Sequence, residues 1–206
     1  MSNDSPTFVI ADGGLPSMVA AVLCAVRQEA SGGLVIWHPR FDPGSARAGA
    51  VAALAQRLRA VVAPGAEKPG EATRMLLGAA MDALRAGAER VVWGVHLGWG
   101  RDWAGEPGGD GGGPELDRLA TEIDRSVLIS RLVSLEGSAG ARGVRIDTPV
   151  IDLSDAQLAD LALDLAVPTD LCWFERPEAA GDPAADAERR RWSAVLAEFG
   201  GVQAAG

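Results

Sequence analysis

Cysteine is nearly absent: of 206 residues only Cys24 and Cys172 carry a thiol. Two thiols make no disulfide framework, and the chain reads as a protein of a reducing cytoplasm. Lysine is scarcer still, since Lys68 is the single lysine among nineteen basic residues. Against twenty-eight acidic residues the net charge is −9, the opposite of the footprint of a general nucleic-acid binder. No apolar run approaches the roughly 18 residues of a membrane span, so no membrane association is expected. The opening Met1-Ser2-Asn3-Asp4-Ser5-Pro6 has no basic region and does not read as a secretory signal. Internal repeats of roughly 20–50 residues are also missing, which excludes a solenoid or propeller. What is present is ordinary for a globular protein, 48% apolar and 23% charged residues. One domain over 1–206 is expected, large enough to bury a full core without disulfide or metal staples.

Short apolar runs alternate with helical periodicity. Strands are expected at 8–11, 34–37, from 61 and at 91–95, with an extended segment over 144–151. Helices are expected over 16–29, 46–59, 69–86, 117–135, 154–165 (with Ser154 as N-cap) and 188–199. The strands are continuous apolar runs, as burial on both faces requires. This alternation predicts an α/β three-layer sandwich with a mostly parallel sheet. The glycine-rich stretch 104–114 fits neither element and is expected to be a surface loop.

Ligands of open parallel sheets bind beyond the carboxyl ends of the strands. Asp12-Gly13-Gly14-Leu15-Pro16-Ser17 follows the first strand and leads into a helix. Glycines there let backbone N–H groups approach an anion, and the helix N-terminus adds partial positive charge. The same six residues also read as a plain strand-to-helix turn. His38 and His96, the only histidines, follow the second and fourth strands, the latter after Gly94. Trp37 and Trp93 read as core, while Trp99 and Trp103 flank Arg101-Asp102 in a loop. Cys24 reads as a buried filler, and 188–192 as a solvated helix end.

Read in order, these pieces resemble the 7-cyano-7-deazaguanine synthases, which belong to the PP-loop ATP pyrophosphatases. Gly13, Gly14 and Ser17 match that family's Ser-Gly-Gly-x-Asp-Ser motif, with Leu15 in its apolar slot. Pro69-Gly70 with Thr73 and Leu76 resembles its Pro-Gly-Arg-Asn-Thr-x-x-Leu stretch. Val91 to His96 resembles its Ile-x-x-Gly-Val-Asn strand, and Thr148-Pro149 with Leu153-Ser154 its Thr-Pro-Leu-x-x-Leu-Ser-Lys. Leu165-Ala166-Val167-Pro168 and Trp173 continue the match, which spans about 8–199. The resemblance implies an adenine-nucleotide alpha-hydrolase-like (PP-loop ATPase) fold with its core over 8–170 and a C-terminal appendage over 171–206. It implies a small-molecule nucleotide or deazapurine as ligand. It also implies a homodimer, paired through the region of 188–192. By the same resemblance Asp12, Gly13, Gly14, Leu15, Ser17, Trp37, His38, Gly94 and His96 would hold the nucleotide.

The departures fall on the reactive positions. The family's first-loop Ser is Asp12 here, its loop Asp is Pro16, its Arg-Asn pair is Glu71-Ala72, its Lys after Leu-Ser is Asp155, and its Asn after the fourth strand is His96. A carboxylate at position 12 competes for the helix N-terminus and repels a phosphate by roughly 1–4 kcal/mol at ~4 Å. ATP is therefore expected to bind weakly or not at all. The cations nearest the loop in sequence terms are Arg40, Arg74 and Arg101. The family's four-cysteine zinc site has no counterpart after Trp173, and zinc is expected to be absent. The zinc segment is expected to be a loop over 182–186. The expectation is a homologue without the family's ligase reaction, with a regulatory or structural role. The alternatives are a diverged active ATP-dependent ligase and a non-catalytic nucleotide or nucleobase binder.

Overall fold

The computed structural model describes residues 5–27, 33–98, 116–137 and 143–203. Five strands, β1 (Thr7–Ile10), β2 (Leu34–His38), β3 (Val61–Pro64), β4 (Arg90–Trp93) and β5 (Arg145–Asp147), form one sheet in the order β3-β2-β1-β4-β5. Every pairing is parallel, so the sheet is wholly and not merely mostly parallel. Among the described residues six α-helices alternate with and follow the strands: α1 (Leu15–Val26), α2 (Ala46–Leu58), α3 (Ala72–Arg85), α4 (Leu116–Glu136), α5 (Asp155–Asp164) and α6 (Pro183–Gln203).

Strand alternation feeds two cores. Val9, Ile36 and Val92 point to one face, where α1, α2 and α5 cover them. Phe8, Ile10, Trp37, Val91 and Trp93 point to the other, under α3 and α4. The chain runs outward from β1 through β2 to β3, and α3 then carries it back across the sheet to β4. The order reverses between β1 and β4, which makes their carboxyl ends the topological switch point where α/β proteins place ligands.

Several boundaries move for identifiable reasons. Helix α3 begins at Ala72, because Gly70 before it takes φ +131°, a conformation helices do not use. Strand β5 ends at Asp147, where turn bonds such as Ile151 N–H to Thr148 C=O take over. The final helix starts at Pro183, not near 188. Pro183 suits the first turn, and Asp182 accepts from the Ala184 N–H at 2.9 Å, so the loop expected over 182–186 is helical. Ser154 is the N-cap of α5 as expected, within a full capping box with Gln157. In the segment after 170, Cys172, Trp173, Phe174 and Trp192 pack into the same core as α1 and α2.

Candidate functional site

A cavity of about 560 Å³ opens at the switch point. Asp12, Gly14 and Ser17 line it from the β1 end, Gly94 and His96 from the β4 end, and Trp173, Glu188, Arg191 and Trp192 from the C-terminal segment. Pro39 and Phe41 close the side next to β2, and Met75 on α3 lies beneath.

The β1 loop folds around its own carboxylate. Asp12 Oδ1 accepts the Gly14 N–H at 2.9 Å and the Ser17 hydroxyl at 2.8 Å. The backbone donor and hydroxyl that a bound anion would use are thus turned onto a side chain of the loop itself. Arg47, in the first turn of α2, answers the carboxylate. Its Nη1 lies 3.5 Å from Asp12 Oδ2 and donates to the Asp12 carbonyl at 3.1 Å, and its guanidinium lies 4.1 Å from the centroid of the Trp173 ring. The Trp173 backbone N–H in turn donates to the Gly13 carbonyl at 2.9 Å. Gly13 has φ +83°, and a Cβ there would lie 3.0 Å from that of Ala50, so the turn needs glycine on two counts.

A second ion pair closes the opposite wall. Arg191 holds Asp155 with two bonds, Nε to Oδ2 at 2.8 Å and Nη2 to Oδ1 at 2.6 Å. Burial works against the Arg191 charge, but the hydrogen bonds and negative charge of Asp155, with Glu188 behind, outweigh it and hold the guanidinium above its ordinary pKa. The same guanidinium lies 4.6 Å from the Trp192 ring centroid, and the Trp192 N–H donates to Glu188 Oε2 at 2.7 Å. Asp12–Arg47–Trp173 and Asp155–Arg191–Trp192 are therefore two versions of one arrangement, a carboxylate, its guanidinium and the indole under it.

His96 sits behind the second group, its side chain 1% exposed, with Nε2 3.6 Å from Asp155 Oδ1 and without a hydrogen-bond partner. Burial pushes the imidazole below its ordinary value of 6.5, Asp155 pulls it up, and Arg191 reinforces burial. The folded protein therefore holds His96 neutral where the unfolded chain takes a proton. Stability from this group is complete above about pH 6.5 and is lost as the pH falls below that value toward the lower folded pKa. Urea midpoints measured from neutral to mildly acid pH should fall, and His96→Gln should flatten that slope. An unaltered slope would assign the acid sensitivity elsewhere. Cys172, fully buried, has its thiol pushed up by desolvation and then by nearby acidic groups, Glu175 foremost. It is an inert packing group against Met18, not a nucleophile.

Five of the nine residues expected at the site, Asp12, Gly14, Ser17, Gly94 and His96, do line the cavity. The other four do not line it. Gly13 is buried beneath the loop, and Leu15 is 0% exposed in the core. Trp37 is equally buried. Its position on β2 turns it toward α3, where its N–H donates to Asp82 Oδ2 at 3.0 Å. His38 is held beside the site: Nδ1 donates to the Pro39 carbonyl at 2.7 Å and the ring stacks on Phe41, which lines the cavity in its place.

The expected cations are also replaced. Arg74 pairs with Glu71 at 3.1 Å on the exposed face of α3, and Arg40 is exposed outside the lining. Arg47 and Arg191 hold the positions that sequence order did not suggest. Trp192 is 1% exposed, so the stretch expected to be a solvated helix end carries a core residue, while Arg190 beside it is exposed. Trp99, Arg101, Trp103 and the 104–114 stretch lie outside the described residues. Among the described residues no group of three or more His, Cys, Asp or Glu side chains could hold a metal ion. None of the described helices is long and apolar enough to cross a membrane.

No family model matches this chain, and no curated protein matches it. Among solved structures it is similar to the U34-tRNA thiolase NcsA from Methanococcus maripaludis with its 4Fe-4S cluster. The identity is 10% and the TM-score 0.48, over 98% of this chain and 73% of that one.

Proposed function

We propose that this chain is a PP-loop-type protein whose nucleotide site has been rebuilt with internal ion pairs. On this reading it is a catalytically degenerate relative of the 7-cyano-7-deazaguanine synthases with a structural or regulatory role. The observation that carries the reading is the Asp12 carboxylate accepting both the Gly14 N–H and the Ser17 hydroxyl. A polyphosphate entering there must displace a covalently tethered anion and then sit beside it. The Asp155–Arg191 pair supports the same conclusion. Arg191, the other guanidinium among the described residues of the cavity, is held by two bonds to a carboxylate and is not free to receive a phosphate.

Both carboxylates fall where the resembled family carries other residues, Ser at 12 and Lys at 155. Each is matched by an arginine stacked on tryptophan, so the two changes read as one coordinated conversion of a ligand site into packing. Pyrophosphate departure needs positive groups aimed at the developing charge, and the two guanidiniums among the cavity's described residues are already engaged. Incubation with ATP, magnesium, 7-carboxy-7-deazaguanine and ammonia should release neither AMP nor pyrophosphate above the protein-free rate. Substrate-dependent release of both, abolished by Gly14→Asp, would overturn the proposal.

A further inference from the structure

The charges around the cavity do not balance. Among the described residues three carboxylates, Asp12, Asp155 and Glu188, stand on its walls or directly behind them, against the two guanidiniums of Arg47 and Arg191. Each arginine takes one aspartate, so Glu188 is the carboxylate left over. His96, the other titratable group of the lining, is kept neutral by burial and adds no positive charge at neutral pH.

Helix α6 fixes how Glu188 is presented. Its Oε2 accepts the indole N–H of Trp192, one turn on, at 2.7 Å. Its Oε1 lies 3.9 Å from Arg191 Nη1, beyond hydrogen-bond reach, and that guanidinium already gives two bonds to Asp155. One oxygen of this carboxylate is thus anchored, while the other finds no donor among the described residues. Away from α6 the lining changes character. Ile10, Phe41, Met75, Trp93 and Val95 give it an apolar side built from β1, the loop after β2, α3 and the end of β4.

The volume of about 560 Å³ is that of a small-molecule site, and apolar walls with a few placed polar groups are how such sites are built. The charge of the walls decides what they select. An anion meets the Asp12 carboxylate on the loop donors and a second negative group at Glu188. A neutral apolar molecule covers Glu188 and strips it of water without replacing the hydrogen bonds. A cation at Glu188 supplies the missing partner and matches three carboxylates with three positive groups.

We propose that the cavity is a binding site for a small organic cation, a primary ammonium carried on an aromatic or branched apolar body. The ammonium sits on Glu188 Oε1, and the body lies against Phe41, Met75 and Trp93. The assignment rests on the reading that the anion seat is filled from within, and it extends that reading, since the cavity has changed the sign of the charge it accepts. Titration of phenethylamine at neutral pH, followed through the indole N–H of Trp192 in proton–nitrogen correlation spectra, tests it. Saturable shifts at low-millimolar amine are expected, with no comparable saturation by the neutral phenethyl alcohol or the anionic hydrocinnamate at matched ionic strength. Glu188→Gln keeps an acceptor for the Trp192 N–H and removes only the charge, and it should weaken amine binding about tenfold or more. The proposal is overturned if the amine does not saturate, if the alcohol binds as tightly, or if a folded Glu188→Gln binds the amine undiminished. Should Glu188→Gln fail to fold, the comparison of amine with alcohol in the unaltered protein decides alone. Pyrophosphate titrated in the same way separates the two readings. If neither it nor the amine binds, only the cation site falls; if pyrophosphate binds and the amine does not, both fall.

Discussion

Trp192→Ala is expected to lower the unfolding free energy by about 3–5 kcal/mol, the loss of a large buried aromatic and the cavity it leaves. Trp192 is 1% exposed in the core that α1, α2 and α5 share. It does three things at once. Its ring lies 5.8 Å from that of His96, it carries the Arg191 guanidinium at 4.6 Å, and its N–H holds Glu188. Trp192→Phe keeps most of the apolar body and loses the hydrogen bond, and should cost about half as much. Urea unfolding of the three proteins measures the difference. A loss under about 1 kcal/mol for the alanine variant would mean that α6 is a dispensable attachment, in conflict with its packing.

Gly94→Ala carries the second large effect. A Cβ at position 94 would lie 2.6 Å from Ser17 Cα, 2.9 Å from the Pro16 carbonyl and 3.0 Å from the Ser17 amide nitrogen. All three are backbone atoms of the first turn of α1, so no side chain can swing aside. Relief requires β4 and α1 to move apart, and a methyl forced into such a contact costs about 3 kcal/mol or more. Gly87→Ala is the control. Its φ is +71°, but a Cβ there meets nothing within 4 Å, so only the left-handed backbone penalty of about 1–2 kcal/mol applies. If the two variants lose the same stability, the close approach of α1 to β4 is not what position 94 enforces. The same contact sets the width of the cavity, since Gly94 and Ser17 are both on its wall.

Which features were readable in the sequence depended on how local their causes are. The strand expected at 91–95 (β4, Arg90–Trp93) and the helix expected over 46–59 (α2, Ala46–Leu58) were readable to within two residues because each pattern is contained in its own segment. The β1 loop, Gly94 and His96 were readable for a related reason: strand ends are where parallel sheets place ligands. Trp37 is in the core, as its place in an apolar strand indicates, and not in the cavity, where the family resemblance put it. Its indole N–H reaches Asp82 on α3 instead. The second ion pair could not be read in advance, since Asp155 and Arg191 are 36 residues apart on different helices. Arg47 lies 35 residues from Asp12 and was hidden in the same way. In Glu188-Arg189-Arg190-Arg191-Trp192 the polar residues suggested solvent. Only packing of α6 on α5 shows that Trp192 faces inward and that Arg191 follows it.

The two carboxylate–guanidinium pairs differ in burial. Asp155 and Arg191 are largely buried, where charges are costly unless paired, and their two hydrogen bonds meet that cost within the chain. Asp12 and Arg47 are more exposed, and their contact is correspondingly looser.

Isothermal titration of Mg-ATP and of pyrophosphate into the unaltered protein and into Asp12→Ser tests the self-filled anion seat most directly. The unaltered protein should give no saturable heat at millimolar ligand, while Asp12→Ser, with the Gly14 N–H and the Ser17 hydroxyl released, should bind pyrophosphate measurably. Saturable micromolar binding of ATP by the unaltered protein, left unchanged by Asp12→Ser, would contradict the account.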